Sequence, residues 1–244
     1  MNKLKYIWVG LLIFTSCLKD TDDDLRHTLE AYILNKPFEI GAVIACAASD
    51  ENTNEILTFY YPEIGATNIR FYETENAQVD KNEFSNYTQI VIPSEPFFNG
   101  YLGKFTQSSA NEKWIIVTFE RQGEIKISNP IRSKQNIKPT VWNDAVSINQ
   151  DVSTMPSFTW EDDAFGDNAI YFQVVSDAQN NLLSGTYTYD NHFQYYNTSN
   201  VVLNITTQLT PPPLITGNNY NFTLMDVSED NWVNWVILKT FEAE

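Results

Sequence analysis

From Pro37 onward, apolar positions fall in short runs, many alternating with polar ones, and each run is closed by Asn, Asp, Ser, Gly or Pro. A two-residue period puts one face of a strand on a core and the other in water. Runs repeated about every ten residues with turn residues between them predict an all-β sandwich. Strands are expected near 40–47, 55–60, 68–73, 88–92, 100–106, 113–119 and 126–131. A second set is expected near 141–148, 157–160, 169–176, 186–189, 200–205, 220–227 and 232–241. The run 113–119 (KWIIVTF) is apolar on both faces, which predicts a central strand covered by the opposite sheet on one side and by loops on the other. Ahead of Pro37, residues 28–37 have room for one or two helical turns that the proline would end.

The two sets of strands repeat one another. Each contains a strand ending in aromatics, then an acidic turn with one glycine, then a strand with aromatics in its middle, at 57–75 and again at 157–177. Gly65 and Gly166 mark equivalent turns about a hundred residues apart, the size of one sandwich domain. With the polar stretch 133–136 before Pro139 as the junction, the chain reads as two tandem antiparallel β-sandwiches, 38–134 and 135–244. The segment from Pro211 to Leu224 (PPPLITGNNYNFTL) and Trp160 carry a resemblance to fibronectin type III or immunoglobulin-like domains. That resemblance implies that Trp160 is core and that Tyr220 is a corner tyrosine bonding back to the preceding turn, with Tyr60 and Trp114 as their counterparts in the first repeat. It implies a fold and leaves function open.

The N-terminus has a different pattern. Lys3 and Lys5 precede an unbroken apolar run from Tyr6 to Phe14, closed by Thr15, Ser16 and Cys17. That run is under half of the ~20 residues needed to span a bilayer and reads as a secretory leader over residues 1–16. The cysteine at the cleavage point resembles a bacterial lipobox, with Phe14 where that motif prefers Leu, Val or Ile. The resemblance implies lipidation of Cys17 and attachment to a membrane through the lipid. Residues 17–37 then carry the lipidated cysteine and a tether with Asp20, Asp22, Asp23 and Asp24. A lysine and acids directly behind the lipidated cysteine are similar to the signal that sends Bacteroidota lipoproteins to the outer face of the outer membrane. As a calcium loop the tether fails, because Leu25 stands where glycine is required and Ala31 where a bidentate Glu is required.

Without residues 1–16 the chain has 13 basic against 31 acidic side chains, a formal charge of −18. Such a surface repels phosphates, so nucleic acid is not an expected partner. With Cys17 acylated, Cys46 is the only thiol left and no disulfide is available. Its apolar neighbours predict a buried free cysteine. Stability then falls to core burial, which 6 Trp, 13 Tyr and 15 Phe can supply.

No nucleophile elbow, His-Glu-x-x-His pair, phosphate-binding glycine loop or Cys-x-x-Cys occurs in the chain. His27 falls in the tether and His192 in an expected hairpin loop, neither with an obvious partner for acid-base work. The reading is therefore not an enzyme, and no cofactor is expected beyond a candidate structural calcium. For that ion the acidic turn offers Asp162, Asp163 and Asp167, beside Glu161 and the Asn168 carbonyl; a solvated acidic turn is the competing interpretation. Candidate ligand contacts are loop aromatics next to amides: Phe97, Phe98 and Tyr101; Phe193, Tyr195 and Tyr196; and Trp232, whose odd spacing from Trp235 puts the pair on opposite faces. Two functions fit. One is a non-catalytic surface lipoprotein that binds, adheres or scaffolds through an envelope protein; the other is a glycan-binding accessory lipoprotein of an outer-membrane polysaccharide uptake system.

Overall fold

The computed structural model describes residues 27–108, 111–206 and 211–244, and within them the chain is almost wholly β. It opens with one short helix, α1 (Leu29–Ile33), capped by Thr28, whose Oγ1 accepts from Ala31 N at 3.2 Å. The helix ends ahead of Pro37, where the ring would remove a helical hydrogen bond.

Ten strands follow: β1 (Phe38–Val43), β2 (Ala45–Ser49), β3 (Glu55–Tyr60), β4 (Thr67–Glu73), β5 (Thr88–Ile90), β6 (Ser94–Phe97), β7 (Leu102–Ser108), β8 (Trp114–Arg121), β9 (Glu124–Ser128) and β10 (Ile131–Arg132). One sheet runs β1-β9-β8-β4-β5 with β10 added beside β8, and the other runs β2-β3-β7-β6. The second half contributes β11 (Val141–Asn143), β12 (Ser147–Asn149), β13 (Ser157–Thr159), β14 (Asn168–Asp177), β15 (Leu182–Thr188), β16 (His192–Gln194), β17 (Val201–Asn204), β18 (Asn219–Ser228) and β19 (Val233–Glu242). Its sheets run β11-β19-β18-β14-β15-β17 and β12-β13-β16. The class is all-β, built of sheet pairs whose strands are antiparallel except for β1 with β9 and β11 with β19.

Those two parallel pairs expose where the hydrophobic pattern misleads. The runs at 40–47 and 141–148, each expected as one strand, are each two strands in different sheets. β1 lies on β9 while β2 lies on β3, and β11 lies on β19 while β12 lies on β13. In the first, Gly41 takes φ +77 beside an irregularity between Ile40 and Val43, a backbone conformation that a side chain would strain, and the chain crosses from one sheet to the other. β6 falls between the expected strands 88–92 and 100–106 and contains Pro96. It is an edge strand, where a missing N–H is tolerated. His192 lies in β16 rather than in a loop, and it is exposed.

Strand alternation then builds the layers. In β3, Ile56 and Tyr60 face the first sheet and pack on Phe71, Ile115, Val117 and Phe119. Leu57 and Phe59 face the other way and pack with Phe172, Met225 and Val236 of the second half. The β2-β3-β7-β6 sheet is therefore buried on both faces, and the two sheet pairs stack against each other. On the outer side of the first sheet, Trp114, Ile116, Ile125 and Ile127 meet Leu29, Tyr32 and Ile33 of α1 together with Ala77, Val79 and Phe84 of the 74–87 connection. The helix thus joins the connection in covering KWIIVTF. Tyr32 closes this lid: Lys36 and Arg70 lie over its ring at 4.2 and 3.8 Å, and its hydroxyl donates to Glu120 at 2.6 Å.

In the second sandwich, Trp160 is buried among Tyr171, Phe222 and Leu224, and Tyr220 Oη accepts from Ile215 N at 2.9 Å. Tyr60 is likewise core in the first sandwich. Trp114 is not the counterpart of Tyr220, for it points to the outer face under α1 while its neighbour Ile115 points inward. Gly65 and Gly166 both sit at positive φ in the turn that leads to β4 and β14.

The segment between β10 and β11 is fastened rather than free. Lys134 pairs with Asp230 at 2.7 Å, Thr140 N–H donates to Ser49 Oγ at 3.2 Å, and Thr140 Oγ1 both accepts from Ser49 N and donates to the Val233 carbonyl. Trp142 Nε1 donates to the Ser49 carbonyl at 2.9 Å.

Candidate functional site

The aromatic side chains singled out in the sequence separate into core and cleft. Trp232 is fully buried, in the turn between β18 and β19, and its ring enters the core of the first sandwich. Trp235 is buried too, in the core of the second, so the odd spacing divides the pair between two cores and exposes neither. Phe193 and Tyr195 belong to the second core as well, with Tyr195 Oη donating to the Pro212 carbonyl at 2.5 Å. The faces of these rings are not open to a ligand. Tyr196 is exposed, at φ +74 in the turn after β16.

Phe97, Phe98 and Tyr101 lie together at the joint between the sandwiches. Phe98, Asn99 and Gly100 all take positive φ, which turns the β6–β7 hairpin tightly. Asn99 Nδ2 donates across the joint to the Gln179 carbonyl and Asn181 Oδ1, both at 2.8 Å, and Tyr101 Oη donates to the Ile205 carbonyl at 2.5 Å. Phe97 packs at a tilt against Phe59 and Phe98, at ring separations of 4.8 and 4.4 Å.

These rings form one wall of a cleft of about 540 Å³ where the stacked sheets part. Leu57, Phe59, Phe97 and Phe98 line the wall from the first sandwich. The facing sheet grades from apolar to polar along its register: Phe172, Met225 and Val236 stand side by side, then Val174, Thr223 and Leu238, then Ser176, Asn221 and Thr240. In the last row Thr240 Oγ1 donates to Asn221 Oδ1 at 2.7 Å, while Ser176 is fully buried and its Oγ has no hydrogen-bond partner. Two lysines at the cleft are neutralised, Lys104 by Glu95 at 3.4 Å and Lys239 by Asp144 at 2.7 Å. Sequence reasoning reached Phe97 and Phe98 but missed Phe59 and the Ser176 row. The signal available was β3 itself, apolar on both faces and so covered on both.

A second cleft of about 300 Å³ opens elsewhere between the sandwiches, lined by Cys46, Phe59, Phe172, Leu203 and Met225 among others. Cys46 is half-buried there, and its apolar surroundings push the thiol up to about 12, so it stays protonated and inert.

The acidic turn does not gather its carboxylates. Asp162 Oδ1 accepts from Tyr171 Oη at 3.0 Å, Asp163 Oδ1 accepts from Asn168 N at 2.9 Å, and Asp167 pairs with Lys138 at 2.9 Å, which holds its carboxyl below the usual range. Among the described residues no three His, Cys, Asp or Glu side chains are grouped so as to hold a metal.

Behind that turn lies a buried carboxyl that the sequence did not single out. Asp226 is fully buried on β18. Its Oδ1 accepts from Asn168 Nδ2 at 2.8 Å, while its Oδ2 and the Oδ1 of neighbouring Asn234 have no partner. Burial, reinforced by the charge of Asp163 and opposed by the Asn168 amide and by Lys138, raises its pKa. Protonation removes the charge that burial disfavours there. With the folded pKa above the unfolded value of about 3.9, its stabilising contribution is complete below that value and is lost as pH rises through the folded pKa. Asp226→Asn, which carries a donor at every pH, should therefore raise the melting temperature relative to wild type at pH 8 and leave it nearly unchanged at pH 4. An equal difference at both pH values would rule out titration of Asp226 as the cause.

The chain matches no protein-family model, and no curated protein matches it significantly. Among the described residues no helix is long and apolar enough to cross a membrane.

Proposed function

We propose that this chain is a non-catalytic cell-surface lipoprotein of the Bacteroidota type, anchored through Cys17 and acting as a binding protein of the outer envelope. Its body would be two fibronectin III-like or immunoglobulin-like sandwiches. The observation that carries the reading is the locked stack. A shared apolar layer, the Asn99 and Tyr101 bonds and the Trp232 ring join the sandwiches into a single body with a cleft between them. A stack of this kind holds a ligand-sized opening at fixed geometry without the ordering cost that two loosely tethered modules would meet on binding. The leader-like N-terminus supports export, and the acidic tether would hold the stack clear of headgroups. Cys17 itself lies outside the described residues.

The reading is tested in Bacteroidota cells with radiolabelled palmitate and protease shaving. The wild-type chain should incorporate label and be removed from intact cells by protease, and Cys17→Ser should abolish the label. Label retained in Cys17→Ser, or a chain that protease cannot reach, would sink it.

A further inference from the structure

The edges of the sheets narrow the kind of partner, a step that rests on the binding role proposed above. A strand at a sheet edge presents N–H and C=O groups that another chain can pair with, and most edges of this molecule are closed. β5 is bridged by the entering chain, where Leu29 N donates to the Tyr87 carbonyl and Gln89 N to the His27 carbonyl, both at 2.9 Å. β2 is covered by the β18–β19 turn through the bond from Ala47 N to the Asn231 carbonyl. β6 carries Glu95 and Pro96, β1 carries Glu39, and β11, β12 and β16 are three residues long. β17 ends the six-stranded sheet with no charge and no proline, and among the described residues no strand lies on its outer side. One irregularity leaves its Val202 unpaired and 49 % exposed. Ile205 N donates inward to the Gly185 carbonyl at 3.0 Å, so antiparallel alternation points the Asn204 N–H out of the sheet.

Two further observations fall at the same edge. Leu203 stands in one register row with Tyr187, Phe172, Met225 and Val236, and the row meets the mainly apolar cleft of about 300 Å³. Leu203 is 42 % exposed there, and Ile44, Cys46 and Ile170 are half-buried, so the lining is open to an entering group. A strand added beyond β17 continues the row and sets one side chain beside Leu203 at this mouth. The second observation is charge. Between Lys138 and Lys239 the chain carries eleven acidic side chains and no Lys or Arg. That stretch contains β17, repels a second copy of itself and attracts a cationic segment. We propose that β17 takes up an extended cationic segment of a partner protein as a seventh strand of its sheet, with one apolar side chain of that segment in the cleft beside Leu203. Main-chain pairing gives such a contact its affinity, and the cleft selects the side chain.

The test titrates the whole chain in detergent into fluorescein-labelled nine-residue peptides of alternating Thr and Lys about a central Leu, Phe or Ala, read by anisotropy. The Leu or the Phe peptide should bind, an Ala centre should weaken binding about tenfold, and Glu in place of Lys should abolish it. Asn204→Pro removes an N–H that the ladder does not use, a change that an edge strand tolerates, and should abolish binding; Asn204→Ala keeps that N–H and should bind as wild type. Leu203→Lys, a change at an exposed position, should also abolish binding even if Asn204→Pro folds poorly. No binding of the Leu and Phe peptides at millimolar concentration overturns the proposal. So does binding that Asn204→Pro and Leu203→Lys leave unchanged, or that the Ala or Glu peptides match. A wild-type chain that sediments as a dimer while Asn204→Pro sediments as a monomer would assign the edge to a second copy and overturn it as well. A chain that is lipidated and surface-exposed but blank with every peptide removes the edge assignment alone. Loss of palmitate labelling, conversely, would leave a positive peptide titration standing.

Discussion

Replacing Trp232 by alanine should cost about 3–5 kcal/mol of stability, the range for removing a large buried aromatic, and should separate the unfolding of the two sandwiches. The side chain is fully buried, and it belongs by sequence to the hairpin of β18 and β19 but by packing to the core of the first sandwich, among Val43, Ala47, Val117 and Ile131. Its Nε1–H donates to the Lys138 carbonyl at 2.8 Å, so the same ring also pins the connecting segment. The backbone around it is bonded in the same direction: Ala47 N donates to the Asn231 carbonyl at 3.0 Å, and Asn231 Nδ2 to the Pro130 carbonyl at 3.1 Å. Alanine leaves a cavity in one sandwich and cuts the plug that joins it to the other. Scanning calorimetry of the wild-type chain should show one cooperative transition, and Trp232→Ala should show two, the first at lower temperature. Trp232→Phe, which keeps most of the volume and loses the hydrogen bond, should fall between them with a single transition. If Trp232→Ala cost under about 1 kcal/mol, or left the single transition intact, the plug would not be what couples the two halves.

What the hydrophobic pattern could and could not disclose follows from what a two-residue period encodes. It assigns residues to faces, and there it served well. β3, β4, β8, β18 and β19 fall where alternation puts them, and Trp160 and Tyr60 are buried as the ends of aromatic strands should be. The period does not say which sheet a strand joins. Residues 40–47 therefore read as one strand although the chain changes sheets after Val43, and residues 141–148 hide the same crossing after Asn143. Nor does it say what covers a face. The doubly apolar pattern of KWIIVTF was visible as central, but the comparable double burial of EILTFY in β3 is what shows that the two sandwiches stack, and its cause lies far along the chain in Phe172, Met225 and Val236.

The candidate site was legible to the same limited extent. Loop aromatics beside amides were the right residue type, yet composition cannot separate a ring that plugs a core from one that walls a cleft. Trp232 and Phe98 are both aromatic, both in turns, and 0 % and 8 % exposed; only the second borders open space. Ser176 and Thr240 carried no signal at all, since a lone serine or threonine on a strand is ordinary. Their role arises from the register that sets them beside Asn221 where the sheets part. The acidic turn shows the reverse case, in which a clustered pattern in sequence disperses in space because Tyr171, Asn168 and Lys138 each draw one carboxylate aside.

Gly103→Ala should destabilise the chain by about 2–3 kcal/mol, the upper part of the range for overpacking a filled core, although the position lies inside a regular strand at a backbone conformation that alanine tolerates. A Cβ at residue 103 would lie 2.1 Å from Tyr60 Cζ and 2.2 Å from its Oη, far inside contact distance. The ring has nowhere to go. Tyr60 is 3 % exposed, stacked on Phe105 at 5.3 Å, and its hydroxyl bonds Ser94 Oγ at 2.5 Å. Tyr60 and Gly103 are paired directly across β3 and β7, so the absent side chain on one strand is the space that the aromatic ring of the other occupies. The double variant separates this from a loss of strand propensity. In a Tyr60→Leu background, where no ring crosses the strand, Gly103→Ala should cost under about 1 kcal/mol in urea unfolding, a coupling of 1–2 kcal/mol between the two sites. An equal cost in both backgrounds would mean that the clash is relieved elsewhere, and that β7 tolerates a side chain under Tyr60.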